Sequence, residues 1–325
     1  MKGPIALTGS TGFVGQHLLK ALDDAGLPLR LLVREGPRSC GFGSAETVIG
    51  DLHDEAALKR LVTGACAVIH LAGAIAAPDR ASFFAINARG TENLAKAAMA
   101  GGVERFIHVS SLAAREPELS DYGASKRAAE DALDALKPKG LLIVRPPVVY
   151  GPGDRATLPL LAQFTRRFAV IPGSAQARIS LLYVEDLAKF LLARLTDNAQ
   201  GHCEIDDGRP QGYGWPDLLE IAAEVEGHKA RPVFLPQWLL ESLAWPVALL
   251  GSMFKLRVPL TPGKVRELYH PDWVVRSVSP MKPDYTQFAE GFRLTIAWYR
   301  EQGWLPGQAA ADRTQSAKFY GEKSK

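Results

Sequence analysis

Three kinds of side chain in this sequence are spaced to move a proton. Tyr122 and Lys126 stand four residues apart in a segment of helical periodicity, so they share one helix face. An ammonium near a phenol stabilises the phenolate and draws its pKa towards working pH. Ser110 and Ser111 close the apolar run 105–110, where a hydroxyl would project from the carboxyl edge of a sheet. A serine, a tyrosine and a lysine so placed can bind a carbonyl or alcohol oxygen and exchange its proton. Tyr-x-x-x-Lys alone arises by chance in many helices. Its weight here comes from its order in the chain.

That order begins with Thr8-Gly9-Ser10-Thr11-Gly12-Phe13-Val14-Gly15, between a strand-like and a helix-like segment. Gly9 and Gly12 allow a tight turn and the close approach of a pyrophosphate, and Gly15 lets the helix lie close on the sheet. Thr11, Gly12, Phe13, Val14 and Gly15 open the helix, whose free N–H groups and positive dipole end suit phosphate. The bland alternative is a glycine-rich turn without a ligand; strand before and helix after favour a dinucleotide. At the end of the second strand a carboxylate would hold a ribose 2′-hydroxyl, whereas an arginine accommodates a 2′-phosphate. Arg34 stands there, with Arg38 and Ser39 just beyond, and Glu35 follows the position rather than filling it. The reading is NADP(H), with NAD(H) as the alternative, and a plain surface charge is the competing account of Arg34.

The elements that must hold these residues alternate. Short apolar runs at 5–8, 29–33, 47–49, 67–71, 105–110 and 140–145 are separated by helical periodicity at 13–26, 54–61, about 87–100 and from about 122. Continuous rather than alternating apolar strands suit a parallel sheet covered on both faces. The fold class expected is therefore α/β, a Rossmann doubly wound parallel sheet with a smaller C-terminal substrate lobe. After Tyr150 proline becomes frequent and the tryptophans appear. Residues 1–150 form the expected NAD(P)-binding domain, with 178–206 returning to it, 151–310 mostly the substrate lobe, and 311–325 a flexible polar tail.

Bulk properties exclude other classes. Lys and Arg exceed Asp and Glu by 38 to 35, too small a balance for a nucleic-acid surface. Cys40, Cys66 and Cys203 are too scattered for a disulfide framework or a metal site, which fits a reduced cytoplasmic setting. The longest uncharged apolar stretch, 242–254, falls short of the ~20 residues that span a bilayer, and no secretory signal precedes the first strand.

With these motifs in order, the chain resembles the extended short-chain dehydrogenases/reductases, the group of nucleotide-sugar epimerases and dehydratases, 3β-hydroxysteroid dehydrogenases and dihydroflavonol reductases. The resemblance rests on TGSTGFVG, Gly50-Asp51-Leu52, His70-Leu71-Ala72-Gly73, Asn87 with Arg89-Gly90-Thr91, HVSS, YGASK, RPPVVYGPGD and Tyr183-Val184-Glu185-Asp186-Leu187-Ala188. It covers 1–195 firmly and the rest loosely. It implies that Asp51 and Leu52 flank the adenine, that Leu71, Ala72 and Gly73 line the cofactor, and that Asn87 braces the site. It implies that Ser111, rather than Ser110, is the catalytic hydroxyl, Tyr122 the acid/base, and Lys126 the group that binds the nicotinamide ribose and tunes the tyrosine. Pro146 and Val148 would lie against the nicotinamide.

Sugar-nucleotide members carry an asparagine where this chain has Val148, which argues against a UDP- or dTDP-sugar. The expected activity is hydride transfer between the cofactor and a ketone or secondary alcohol of an apolar small molecule. The alternatives are a nucleotide-sugar epimerase or dehydratase, and a cofactor-binding sensor or assembly factor without turnover. The stretch 238–254 (WLLESLAWPVALLGSMF) is read first as a core helix, with an apolar substrate wall or a shallow membrane contact as the other readings. Two departures from the family bear on substrate: only ten residues separate Ser111 from Tyr122, and the region 273–288 lacks the usual leucine-glycine-tryptophan segment. A homodimer through two helices of the nucleotide domain is frequent in such proteins, though no pattern here demands one.

Overall fold

Strands that are apolar on both faces must be covered on both faces, and that requirement organises the first half of the chain. A computed structural model describes residues 3–34, 45–254, 256, 260–276 and 285–306. Glu35, Arg38, Ser39 and Cys40, and the tail 311–325, lie outside the described residues.

In chain order the first half comprises β1 (Ile5–Thr8), α1 (Phe13–Asp24), β2 (Leu29–Val33), β3 (Glu46–Ile49), α2 (Glu55–Val62), β4 (Ala67–His70), α3 (Arg80–Phe84), α4 (Gly90–Ala100), β5 (Arg105–Val109), α5 (Asp121–Leu136) and β6 (Leu141–Arg145). Then follow β7 (Val148–Tyr150), α6 (Leu158–Phe164), β8 (Phe168–Pro172), β9 (Arg178–Ile179), β10 (Leu181–Tyr183), α7 (Val184–Ala193) and β11 (Gly201–Glu204). The chain continues through β12 (Tyr213–Gly214), α8 (Trp215–Glu226), β13 (Arg231–Leu235), α9 (Gln237–Met253), α10 (Pro262–Tyr269), β14 (Asp272–Trp273) and α11 (Phe288–Glu301).

The main sheet has seven strands in the order β11-β6-β5-β4-β1-β2-β3, all parallel. This is the Rossmann-like, doubly wound α/β fold. Alternate side chains of each strand feed two cores. Ile5, Leu7, Leu31, Ile69 and Ile107 meet Leu18 and Leu22 of α1 and Leu187 and Leu191 of α7. Ala6, Leu32, Val68, Phe106 and Ile143 meet Leu58 and Leu61 of α2, Leu94 of α4 and Leu133 of α5. Central β1, β4 and β5 are buried throughout, whereas edge strand β3 exposes three of its four residues.

A third core lies beyond β7. Tyr150, Phe164, Ile171, Tyr213, Trp215, Leu218, Phe288, Phe292 and Tyr299 fill it, around short sheets β10-β7, β12-β9-β14 and β13-β8. Among the described residues no helix is long and apolar enough to cross a membrane.

Two expectations change. The helix expected at about 87–100 begins earlier, as α3 capped by Asp79, whose Oδ1 accepts from Ser82 N at 2.7 Å. It then passes through a π-helical turn over Ala85–Arg89 before α4. The expectation of a core helix at 238–254 is overturned. Trp238, Trp245 and Leu249 are 68%, 67% and 66% exposed, while Ala244 is fully buried. The inward stripe of α9 is Leu240, Ala244 and Ala248, spaced by four and mostly small, so the bulky apolar residues face outward.

The third core is tightly packed where α11 meets β7. A Cβ added at Gly291 of α11 would lie 2.2 Å from the buried Tyr150 Oη. Gly291→Ala should therefore destabilise the protein by about 1–3 kcal/mol through overpacking. A urea titration should show a lower midpoint with an unchanged slope, and an unaltered midpoint would show that the contact relaxes freely.

Candidate active site

The first six strands of the sheet (β1–β6) end at the same carboxyl edge, where an open α/β sheet places its ligands. The turn after β1 is held by close approach. Gly9 has φ +79°, and a Cβ on it would lie 2.6 Å from Ala72 N; one on Gly15 would lie 2.0 Å from the Gly9 carbonyl oxygen. Gly12 N–H donates to Gly9 O at 3.0 Å and caps α1 without a side-chain bond. The first turn of α1 carries no acid, whereas α2 and α5 are capped by Asp54 and Ser120. An uncapped N-terminus with no internal counter-charge fits an anionic pyrophosphate. Thr11 is exposed on this turn, Phe13 packs edge-on to His17 with centroids 5.6 Å apart, and Val14 packs into the α1 core.

Around this turn the other strand ends converge. Arg34 is exposed just after β2. Asp51 is exposed, its Oδ1 accepting from His53 N at 2.7 Å, while Leu52 is buried against Gly90, where a Cβ would meet its side chain at 2.8 Å. Leu71 and Ala72 are half-buried and Gly73 exposed. Pro146 is buried after β6, and its carbonyl accepts from Leu112 N at 2.9 Å. Val148 opens β7, half-buried.

The two serines after β5 part company. Ser110 is buried, and its hydroxyl donates to Glu130 Oε1 at 2.5 Å, a carboxylate that also receives Arg145 Nε at 2.9 Å. Ser111 instead caps a 3-10 turn over Leu112–Arg115, its Oγ accepting from Ala113 N at 3.2 Å, and its hydroxyl is near enough to the Tyr122 phenol to act on that group's pKa. Gly123 makes this meeting possible, because any Cβ there would lie 2.7 Å from Ala113 O.

Burial pushes the Tyr122 phenol up to about 12, and the Ser111 hydroxyl works against that rise. Lys126 is buried, and its Nζ donates to Val109 O at 2.8 Å. Burial brings this ammonium down to about 8, and Glu130 one turn further along α5 opposes the fall. The expected pull of Lys126 on the phenol is thus not the leading influence in this geometry, since the amine is aimed at a strand carbonyl.

The sequence profile of the NAD dependent epimerase/dehydratase family matches residues 5–205. The chain belongs to that family. It is 42% identical over 316 residues to the ceramide reductase of Caulobacter vibrioides, covering 95% of this chain and 98% of the relative. It is 28% identical over 286 residues to the UDP-glucose 4-epimerase of Vibrio cholerae, covering 78% and 83%. Among solved structures, the Bordetella bronchiseptica enzyme WbmH in complex with NAD+ superposes with a TM-score of 0.69 at 19% identity, over 93% of this chain and all of that one, a likeness of fold. The relatives are named reductases and epimerases, and this family member is an enzyme.

In this epimerase/dehydratase-family enzyme, residues missed in the sequence reading support those that were found. Asn87 sits in the π-helical turn. Its Oδ1 accepts from Ala74 N at 2.7 Å, and its Nδ2 donates to Ala74 O at 3.0 Å and to Ser125 Oγ at 2.8 Å. Ser125 donates in turn to Tyr122 O at 2.8 Å. The signal was available in YGASK, where Ser125 falls between the two expected catalytic residues. A second chain runs through His70: Thr8 Oγ1 lies 2.6 Å from Nδ1, Thr91 Oγ1 lies 2.8 Å from Nε2, and Thr91 donates to Asn87 O at 2.6 Å. Because Thr91 spends its proton on Asn87, Nε2 must carry the imidazole hydrogen and Nδ1 must accept from Thr8. His70 is thereby a neutral link between β1, β4 and the π-helical turn.

His108 lies beside it, ring centroids 5.1 Å apart, with both ring nitrogens buried and unpartnered among the described residues. Burial first, and Lys126 second, bring His70 down to about 3 and hold His108 well below its ordinary 6.5. A histidine whose pKa falls on folding binds more protons when unfolded, so its contribution is lost as pH drops below about 6.5. Melting temperature should therefore decline from neutral pH towards pH 5. His108→Leu should retain more of its neutral-pH stability at pH 5 than the parent does; parallel declines in the two proteins would refute this account.

Proposed function

We propose that this enzyme transfers a hydride between NADP(H) and a ketone or secondary alcohol on a ceramide-class lipid. The single observation that carries the reading is the 42% identity to a ceramide reductase across nearly the whole of both chains. Val148 supports it, because an apolar side chain there offers nothing to a sugar-nucleotide diphosphate. The side chains packed around Val148 are apolar as well, Tyr150, Leu161, Phe164, Leu181 and Phe288 among them. In the same reading 1–150 with 178–206 binds the nucleotide and 151–310 receives the substrate.

The glycine turn and the uncapped N-terminus of α1 would hold the pyrophosphate, Asp51 and Leu52 the adenine, and Leu71, Ala72, Gly73, Pro146 and Val148 the remainder of the dinucleotide. Arg34, with no acid at its position, would face a 2′-phosphate. When bound, the nicotinamide supplies or accepts the hydride. Tyr122 gives its phenolic proton to the ketone oxygen in reduction and takes it back in oxidation. Ser111 holds the same oxygen, and Lys126 keeps positive charge near the phenol and binds the nicotinamide ribose. Asn87 and Ser125 fix the start of α5 so that these groups stay in register.

Three measurements test the reading. Tyr122→Phe should lower kcat/KM for a long-chain lipid ketone by about a hundredfold to ten-thousandfold, the usual weight of a general acid, and equal turnover would remove the assignment. In the parent, kcat/KM for reduction should fall as pH rises through about 8, where Lys126 loses its proton. Lys126→Arg, charged throughout, should lose most of its rate yet show no such limb. Fluorescence titration should find NADPH bound about tenfold or more tightly than NADH, since charge-assisted bonds to a phosphate are worth that much. A preference for NADH would overturn the role given to Arg34.

A further inference from the structure

The exposed large apolar side chains of this protein are not scattered. Among the described residues, only Ile49, Ile75 and Met99 lie outside two stretches, 168–170 and 233–256. These stretches adjoin, because β13 pairs with β8 and runs through Pro236 straight into α9. Val233 lies opposite Val170, and Arg231 opposite Phe168. The most exposed are Trp238, Trp245, Leu249, Phe254, Leu256 and Leu243, each more than half open to solvent. Such a face is much larger than the isolated apolar residues of an ordinary surface.

Charge distinguishes what could cover it. Among the described residues of 227–256, the exposed cations Lys229 and Arg231 stand against the single acid Glu241. Exposed Arg166 and Arg167 add to these cations at the start of β8, with the Arg167 guanidinium 5.7 Å from the Phe168 ring centroid. Glu241 is already engaged by Gln237 Nε2 at 2.9 Å. An apolar face with outward tryptophans and a basic border matches an anionic bilayer surface, where tryptophan sits at headgroup level and cations meet lipid phosphates. α9 is too short to cross.

We propose that α9 and the β8–β13 pair dock this enzyme on an anionic lipid bilayer, in the plane of the interface. The docked face is mechanically close to the catalytic helix. α10 packs against α9. Tyr269 Oη donates to Leu235 O at the end of β13. On its other side α10 meets α5: Ser120, the N-cap of that helix, donates to Glu267, and Gly263 lies so close that a Cβ would stand 3.0 Å from Ser120 Cβ. That docking serves to draw a lipid from the bilayer rests on the proposed substrate class; the docking itself rests on the surface alone.

Flotation of the full chain with vesicles, without substrate, tests it. The protein should float with phosphatidylglycerol-rich vesicles, weakly with pure phosphatidylcholine, and less at high salt. The double variant Trp245→Glu/Leu249→Glu should lose vesicle affinity by on the order of tenfold or more, and Arg167→Glu/Lys229→Glu by a similar factor with the salt dependence gone. Both changes are at exposed positions, so turnover of a short-chain, water-soluble ketone should stay at the parental level. Failure of the parent to float with either vesicle overturns the proposal. So does sedimentation showing a dimer that Trp245→Glu/Leu249→Glu dissolves, since a second copy would then cover the face. Vesicle binding without turnover of any lipid ketone would leave docking standing and remove the substrate reading instead.

Discussion

The contact on which the remaining geometry depends is the one between the backbone of Gly9 and its two neighbours. On one side Ala72 N comes within 2.6 Å of where a Cβ would be, and on the other the Gly9 carbonyl fills the space that a side chain at Gly15 would need. Three elements, β1, α1 and the segment after β4, are thus drawn together at one point of the sheet edge. That closeness brings Thr8 within reach of both Ala72 N and His70, and through His70 and Thr91 it reaches the π-helical turn that carries Asn87. From Asn87 the path continues to Ser125 and the backbone of Tyr122. The turn that suits a phosphate and the helix that suits a proton transfer are therefore parts of one connected framework.

That framework is maintained against the cost of burying charge. Lys126, Glu130 and Arg145 all lie beneath the sheet edge, and an unpaired ion there would be expensive. Glu130 resolves most of it: fully buried, it accepts from Ser110 and from two nitrogens of Arg145. Its charge also raises the pKa of Lys126 from one turn away, against the larger effect of burial. The two histidines meet the same constraint differently, by staying neutral. Lys126 contributes to holding them so, since an ammonium and charged imidazoles this close would repel one another.

What the sequence revealed and what it hid divide along physical lines. The alternation of elements, the glycine turn and the Tyr/Lys helix were legible because each is local: spacing within a dozen residues suffices. The choice between Ser110 and Ser111 was open on residues alone, because it depends on Glu130, twenty residues away, capturing one hydroxyl. The π-helical turn was hidden because nothing within its own five residues marks it; Asn87 inside it answers both polar groups of Ala74, thirteen residues earlier. The helix at 238–254 was read as core because composition speaks to burial only when apolar residues gather on one stripe. In α9 they surround the helix, and the stripe that packs is the small one.

The link between α10 and α5, the helix that carries Tyr122 and Lys126, joins the two halves of the fold. α5 starts at Asp121, and its N-cap, Ser120, serves two masters: its Oγ accepts from Gly123 N at 2.9 Å and donates to Glu267 of α10. Glu267 also receives Lys264 Nζ at 2.9 Å, and its carbonyl receives the Trp273 indole at 2.8 Å. Displacing α10 would therefore load the cap of the helix whose next residues are Tyr122 and Gly123, and Gly123 already lies against the Ser111 turn. Because α10 is also packed on α9, the outermost and most apolar element of the lobe is only two helices from the phenol. A helix whose start rests on such a cap is sensitive to how α10 is held, and the sheet alone does not fix its position.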